Sequence, residues 1–458
     1  MLASIGLAGA SACTRVGGEH RATTGSTTST TTTSAPKVDP DSVLRRQLER
    51  ATFGLTPTLW DHVSSIGFER WLDDQLTAPD SLGGSIDDPY AAGFTLVDAT
   101  IPTAAQIGGV PRQERQRFRP ALMQGIGARV ILRAALAPDQ VRQRLVDTFA
   151  DLLHVSSAEA PTIFGLDEYD RLLRTNVLGR FADLLAASAT STAMLSFLDN
   201  ASSRADGGRH PNENFARELM ELHTVGVDGG YAEGDVVEAA HVFSGWSVDR
   251  SGSHFEFRAP WHDLGRLASG GDILGWRPTG DGEAAGRSLL DHLAHHPATA
   301  RRIAHELARR FVSESLSPDD PIVERAAEVY LAQDTSIAAV VRELLTSPDF
   351  ATRSTLMARR PIDLLATLVR RAAPAPDPAQ AVVLGQELVA LSTALGQSPY
   401  GWPGPDGYIW ASGAWTNAGA LIARWNAVTT VAGTLTWPGA ADPSSAVLTA
   451  CGPEIQVF

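Results

Sequence analysis

The residues best equipped for chemistry lie between Asn212 and His223, in the run Asn-Glu-Asn-Phe-Ala-Arg-Glu-Leu-Met-Glu-Leu-His. At about 100° per residue, the helical period, Asn214, Arg217, Glu218 and Glu221 share one face. Phe215, Ala216, Leu219, Met220 and Leu222 fill the other. Glu218 and Glu221, three residues apart, can converge on one point. Two converging carboxylates suit oxygen ligation of a divalent cation, or proton transfer between an acid and a base. Arg217 stands against both uses. A guanidinium four residues after Glu213 and four before Glu221 neutralises these acids and lowers their need for a metal. Asn212, Glu213, Asn214, Arg217, Glu218 and Glu221 therefore read either as a binding or structural polar network, or as a site in which Glu218 and Glu221 act.

Other candidates are weaker signals. His223 falls about 200° from Glu221 on a helix, inside the apolar arc, which suits a core histidine bonded to a backbone carbonyl. His262-Asp263 offers an imidazole and a carboxylate to a catalytic or metal site, or a loop-fixing hydrogen bond. His296 before Pro297 reads as a helix start, and His210 sits in a Gly-rich loop beside Asn212. Trp402, Tyr408, Trp410 and Trp415 cluster among prolines and glycines. Such rings either stack on sugars or pin loops onto helices. There is no Gly-x-Ser-x-Gly elbow, Walker loop, dinucleotide glycine fingerprint, His-Glu-x-x-His or Cys-x-x-Cys, and no Glu-x-x-His pair on the Asn212–His223 helix. No cofactor is required by these residues, and a divalent metal remains possible.

The elements that must position these residues are helical almost throughout. Apolar periodicity predicts helices from about Asp41 to Leu76, Arg112 to Leu153, Glu168 to Leu198, Glu233 to Phe243, Gly286 to Phe311, Ile322 to Leu345, Pro361 to Leu395 and Ala418 to Val431. Pro79 to Pro111 reads as a looser, Gly-rich region. Phe255-Glu256-Phe257 alternates like a strand, so residues 247–278 are expected to form a small β-hairpin or ordered loop. The fold class is mainly α: one large multi-helix body over residues 41–436, with a C-terminal tail over 437–458. Arg112, Arg115, Arg117 and Arg119 read as a solvated face.

The chain carries a formal charge of −14 and a single lysine, Lys37. This argues against nucleic acid and against an anionic membrane surface as partner. Residues 1–13 look like the end of a bacterial export signal, with Ala10-Ser11-Ala12 before a lipid-accepting Cys13. Residues 14–40 are rich in Thr and Ser, a composition that cannot bury a core and acts as a tether. The expected location is the cell envelope, on the outer face of the cytoplasmic membrane, with membrane attachment only through a lipid on Cys13. If Cys13 is lipidated, Cys451 has no disulfide partner.

Many short signatures agree in order: Leu44-Arg45-Arg46, Ala51-Thr52-Phe53-Gly54, Leu198-Asp199-Asn200, the block Asn212 to Val227, Tyr231, Ser244-Gly245-Trp246, His262-Asp263, His296-Pro297 and Pro405-Asp406-Gly407-Tyr408. On these the chain resembles the bacterial domain-of-unknown-function 1800 family (DUF 1800). The resemblance implies a large, mainly helical, exported bacterial protein, with no established activity. Two departures stand out. Relatives carry an aromatic-rich Trp-x-Asn-His-Phe segment where this chain has Phe149-Ala150-Asp151-Leu152-Leu153. Ala232 replaces a threonine suited to capping a helix, a loss of about 1 kcal/mol. The expected function is binding or assembly at the cell surface, with an envelope protein or carbohydrate as partner. The alternative is a metal-assisted envelope hydrolase using Asn214, Glu218 and Glu221 with His262 and Asp263.

Overall fold

Helix starts follow from local capping chemistry. Asp39 accepts from Asp41 N–H and Pro40 sits at the first helical position, opening Pro40–Ala51. The Thr56 hydroxyl accepts from Leu59 N–H at 3.2 Å to start Pro57–Ile66. Gly67, at φ +89°, ends that helix and begins Phe68–Thr77. These details come from a computed structural model that describes residues 39–79, 91–158, 162–280, 282–372, 377–437, 445, 447 and 450–457. The expected export segment, Cys13 and nearly all of the Thr/Ser tether lie outside the described residues.

From Asp39 onward the chain folds as one mainly helical unit. Its apolar side chains form two clusters. The larger includes Phe149, Tyr169, Phe181, Phe215, Phe243, Trp246, Phe311 and Tyr330. The second gathers Phe53, Phe94, Leu132, Leu365, Leu368, Leu388 and Val428. The region expected to be loose contributes a helix, Ala91–Asp98. It packs at Gly93 against Pro378 and Ala381, and Phe94 and Val97 are buried.

The β element is a two-stranded antiparallel hairpin, Trp246–Val248 with Phe255–Phe257, in which Trp246 faces Phe257. Asp249 closes its turn by accepting from the N–H groups of Ser253 and His254. Arg112 and Arg115 donate to the carbonyls of Arg250 and Ser251. Those arginines pin the hairpin tip.

The expected C-terminal tail is packed. Trp437, Ala450 and Ile455 join the second apolar cluster, Val457 bridges to Ala358, and Arg424 holds Gln456. The described apolar side chains of this stretch, which includes the short helix Pro453–Gln456, fill gaps in the body. Among the described residues, no helix is long and apolar enough to cross a membrane.

Candidate functional site

The segment that carries Asn212 to His223 is anchored at both ends by backbone capture. Asn200 donates to the carbonyls of Phe243 and Trp246, both at 3.1 Å. The Ser203 hydroxyl accepts from Asn212 N–H, and the Asn212 side chain accepts from Asn214 N–H at 2.9 Å. The α-helix then runs only from Asn214 to Glu218. Leu219–His223 is a π-helical turn. The Thr224 hydroxyl takes the Leu219 carbonyl at 2.7 Å, Gly226 N–H takes that of Met220, and Arg302 donates twice to Leu222. These partners supply the carbonyl contacts that the wider turn leaves open. The single α-helical rod expected from spacing is therefore two pieces. Asn214, Arg217 and Glu218 lie on the α piece and Glu221 on the π piece, all four half-buried.

Underneath, Phe215 meets Phe243 edge-on at 5.1 Å, Phe243 meets Trp246 at 5.2 Å, and Trp246 meets Phe255 at 5.3 Å. Each such contact contributes about 0.5–1.5 kcal/mol beyond area burial. This ladder ties the polar segment to the hairpin.

Arg217 is the hub of the polar face. It lies 3.1 Å from Glu213, 3.7 Å from Glu221, and 2.5 Å from Glu233 in a forked contact. Hydrogen bonding to Glu233, outweighing burial, raises its pKa further. Glu218 is different: no hydrogen bond or ion pair engages its carboxylate among the described residues. Burial, then Glu221 and Asp406, push its pKa up against the pull of Arg217. Tyr231 lies against Glu221, and burial together with that acid raises its phenol.

Asp406, whose charge acts on Glu218, belongs to a loop far away in the chain. Trp402 donates to Asp406 at 2.7 Å, and Tyr408 donates its N–H to Asp151 and its hydroxyl to the Ser398 carbonyl. Gly407, at φ +66°, lies so close that a Cβ would strike the Asp151 backbone. Trp415 is buried and donates to Ile409. Trp410 covers the guanidiniums of Arg310 and Arg360, with centroid distances of 4.5 and 3.9 Å. These rings pin loops. His154 touches the Ala150 and Trp402 carbonyls. In the segment Phe149 to Leu153, Leu152 is half-buried, while Asp151 pairs with Arg360.

His223 is 2 % exposed. Burial, with Arg302 and His154 nearby, brings its pKa down to about 3, so it is neutral at pH 7. Its Nε2 has no hydrogen-bond partner among the described residues. His262 contacts the Ser244 carbonyl at 3.0 Å and the Phe257 ring, and Asp263 closes a turn by accepting from Gly265. These neighbours are not the ones that surround Glu218. Ala232 lacks a capping side chain, but Asp235 accepts from its N–H at 2.8 Å. Among the described residues, no three His, Cys, Asp or Glu side chains are grouped so as to hold a metal ion.

A second polar stripe went unrecognised in the sequence. Arg144, Asp147 and Asp151 lie at i, i+3 and i+7 on the helix Gln140–Leu152. They meet Asp363 on Pro361–Arg371, Arg310 on Pro297–Phe311, and Arg360. Glu49 holds Arg359 and Arg371 nearby. The network joins helices from both apolar clusters. Its spacing signal matches that of the Asn214 stripe, so pattern alone could have found it. Asp406 and Tyr231 carried only the weaker signal of short motifs.

No curated protein and no solved structure matches the chain. A family model described as "Protein of unknown function (DUF1800)" matches residues 46–455. Spanning nearly the whole helical body, from the first helix to the packed C-terminus, that match places the chain in the DUF1800 family.

Proposed function

We propose that this chain is an exported bacterial envelope protein, lipid-anchored through Cys13 on the outer face of the cytoplasmic membrane. There it binds or helps assemble a surface partner, a protein or a carbohydrate. One observation carries the binding reading over the hydrolase reading. Arg217 gathers Glu213, Glu221 and Glu233, and among the described residues Glu218 beside them has no ion pair. Acids tied to a central guanidinium form a fixed recognition surface, and they are poor metal ligands. His262 and Asp263 have neighbours of their own, which also weakens the hydrolase reading.

The test uses full-length protein and isolated cell envelopes. Wild type is expected to co-sediment with envelopes. Arg217→Ala, which releases three acids, and Glu218→Gln are each expected to lower that binding at least tenfold. Elemental analysis of wild type and Glu218→Ala runs alongside. A stoichiometric metal lost in the variant, together with hydrolysis of an envelope polymer, would overturn the binding reading. Mass spectrometry of Cys13 peptides from membrane fractions tests the anchor independently.

A further inference from the structure

The helix Ala418–Thr434 buries Arg424, Ala427, Val428, Val431 and Ala432. Its outer face carries Leu421 (42 % exposed), Ile422 (66 %) and Trp425 (61 %). Two more exposed apolar residues sit on segments tied to this helix, directly or through one another. Leu356, 71 % exposed, precedes Arg359, whose carbonyl accepts from Arg424 at 2.6 Å. Ile409, 51 % exposed, precedes Ser412, whose hydroxyl accepts from Ala358 N–H at 2.9 Å. A soluble surface rarely gathers this much apolar area unless something covers it.

Charge narrows what that is. The chain has 52 Asp and Glu, yet none lies between Asp406 and Asp442, and the one arginine in that stretch is the buried Arg424. This 35-residue stretch brings no carboxylate of its own to the face; Glu314, from another helix end, accepts from the Ser412 N–H and hydroxyl at its edge. Trp425 adds a ring suited to the boundary between water and acyl chain.

The N-terminal attachment points the same way. Arg46 donates to the Ser354 and Ala351 carbonyls, and Arg50 donates to Thr355. The first helix therefore passes beside the residues just before Leu356. Its first residue, Pro40, is six residues from Arg46, about 9 Å along the helix. Twenty-five residues, 14–38, separate Cys13 from Asp39, a length of chain that can span at most about 90 Å.

We propose that the face formed by Leu421, Ile422 and Trp425, with Leu356 and Ile409, rests on a lipid bilayer surface. The proposal rests on the anchored reading above for its setting in the cell, but its test supplies the anchor chemically. Full-length protein with Cys451→Ser is coupled through Cys13 to maleimide lipid in phosphatidylethanolamine–phosphatidylglycerol vesicles (7:3). Tryptophan emission is then recorded with and without brominated acyl chains. Wild type is expected to show blue-shifted, quenched emission. Trp425→Phe should remove at least half of the quenching, and Leu421→Glu/Ile422→Glu nearly all of it, with unchanged far-UV circular dichroism. Equal quenching in wild type and the double variant overturns the proposal. So does an unquenched wild type that dimerises in sedimentation through the same residues, which assigns the face to a second copy. Absence of lipid on Cys13 in cells would defeat the anchored reading while leaving this measurement intact.

Discussion

Asp363→Asn removes one negative charge from the centre of the buried network and leaves the shape of the side chain. Asp363 is 1 % exposed. It pairs with Arg144, lies 3.0 Å from Arg310 and 3.8 Å from Arg360, and accepts from Arg360 N–H. Burial alone would raise its pKa, but Arg310, Arg144 and Arg360 outweigh burial and hold it far below the ordinary value. Burial and the neighbouring Arg310 and Arg359 meanwhile bring Arg144 down to about 9, even with Asp363 present, so it is charged at pH 7. Without Asp363, three buried guanidiniums share Asp147 and Asp151. Breaking a buried pair in this way costs about 3–5 kcal/mol. An unfolding entropy of about 2.1 cal/mol/K per residue, over about 420 residues, gives roughly 0.9 kcal/mol/K, so Tm should fall by about 3–6 °C at pH 7. Calorimetry measures this directly. The contribution is present above pH 3.8, the ordinary value, and is lost as pH falls through the depressed folded value. The gap between wild type and variant should therefore narrow below pH 4. Adding Arg144→Met to Asp363→Asn should recover part of the loss, because it removes one of the stranded charges. A shift under 1 °C, or a double variant whose losses simply add, would refute the reasoning.

Three further outcomes are expected. Burial, with Arg302 and His154, depresses the folded pKa of His223 to about 3 from 6.5; its contribution is present above pH 6.5 and is lost as pH falls toward 3, so His223→Leu should flatten the decline of Tm over that window. The raised Glu218 carboxyl works in the opposite sense, since its contribution is present below pH 4.5 and is lost as pH rises through the folded value. Glu218→Gln should accordingly raise Tm relative to wild type at pH 7 and match it at pH 4, and a lower Tm at pH 7 would count against the isolated-acid geometry. Gly407→Ala places a Cβ on the Asp151 backbone at φ +66°, which should cost about 1–3 kcal/mol and alter near-UV circular dichroism as the Trp402–Tyr408 loop shifts; an unchanged spectrum would sink the clamping role.

Much of this protein was legible in the sequence because helices announce themselves locally. The Thr56-Pro57 and His296-Pro297 starts form as their side chains and prolines dictate, and the alternation of Phe255-Glu256-Phe257 marks a strand. The i, i+4 pairings of Arg217 with Glu213 and Glu221 were also readable from spacing. The packing of Trp437 and Ile455 was not, because it depends on gaps left by helices far away in the chain. The π turn at Leu219–His223 depends on Arg302, which lies 80 residues from the carbonyl it holds.

The deepest difference concerns the two polar stripes. Period and residue type determined that Arg144, Asp147 and Asp151 share a face, just as Asn214, Arg217, Glu218 and Glu221 do. Only the tertiary structure decided that the first stripe is sealed between helices while the second stays half open to water. The physical reason is that a helical pattern fixes angles about its own axis and carries no information about what lies opposite. Partners such as Asp363 and Asp406 arrive from more than 180 residues away, and their arrival sets the local dielectric, which makes one stripe a scaffold and leaves the other a surface.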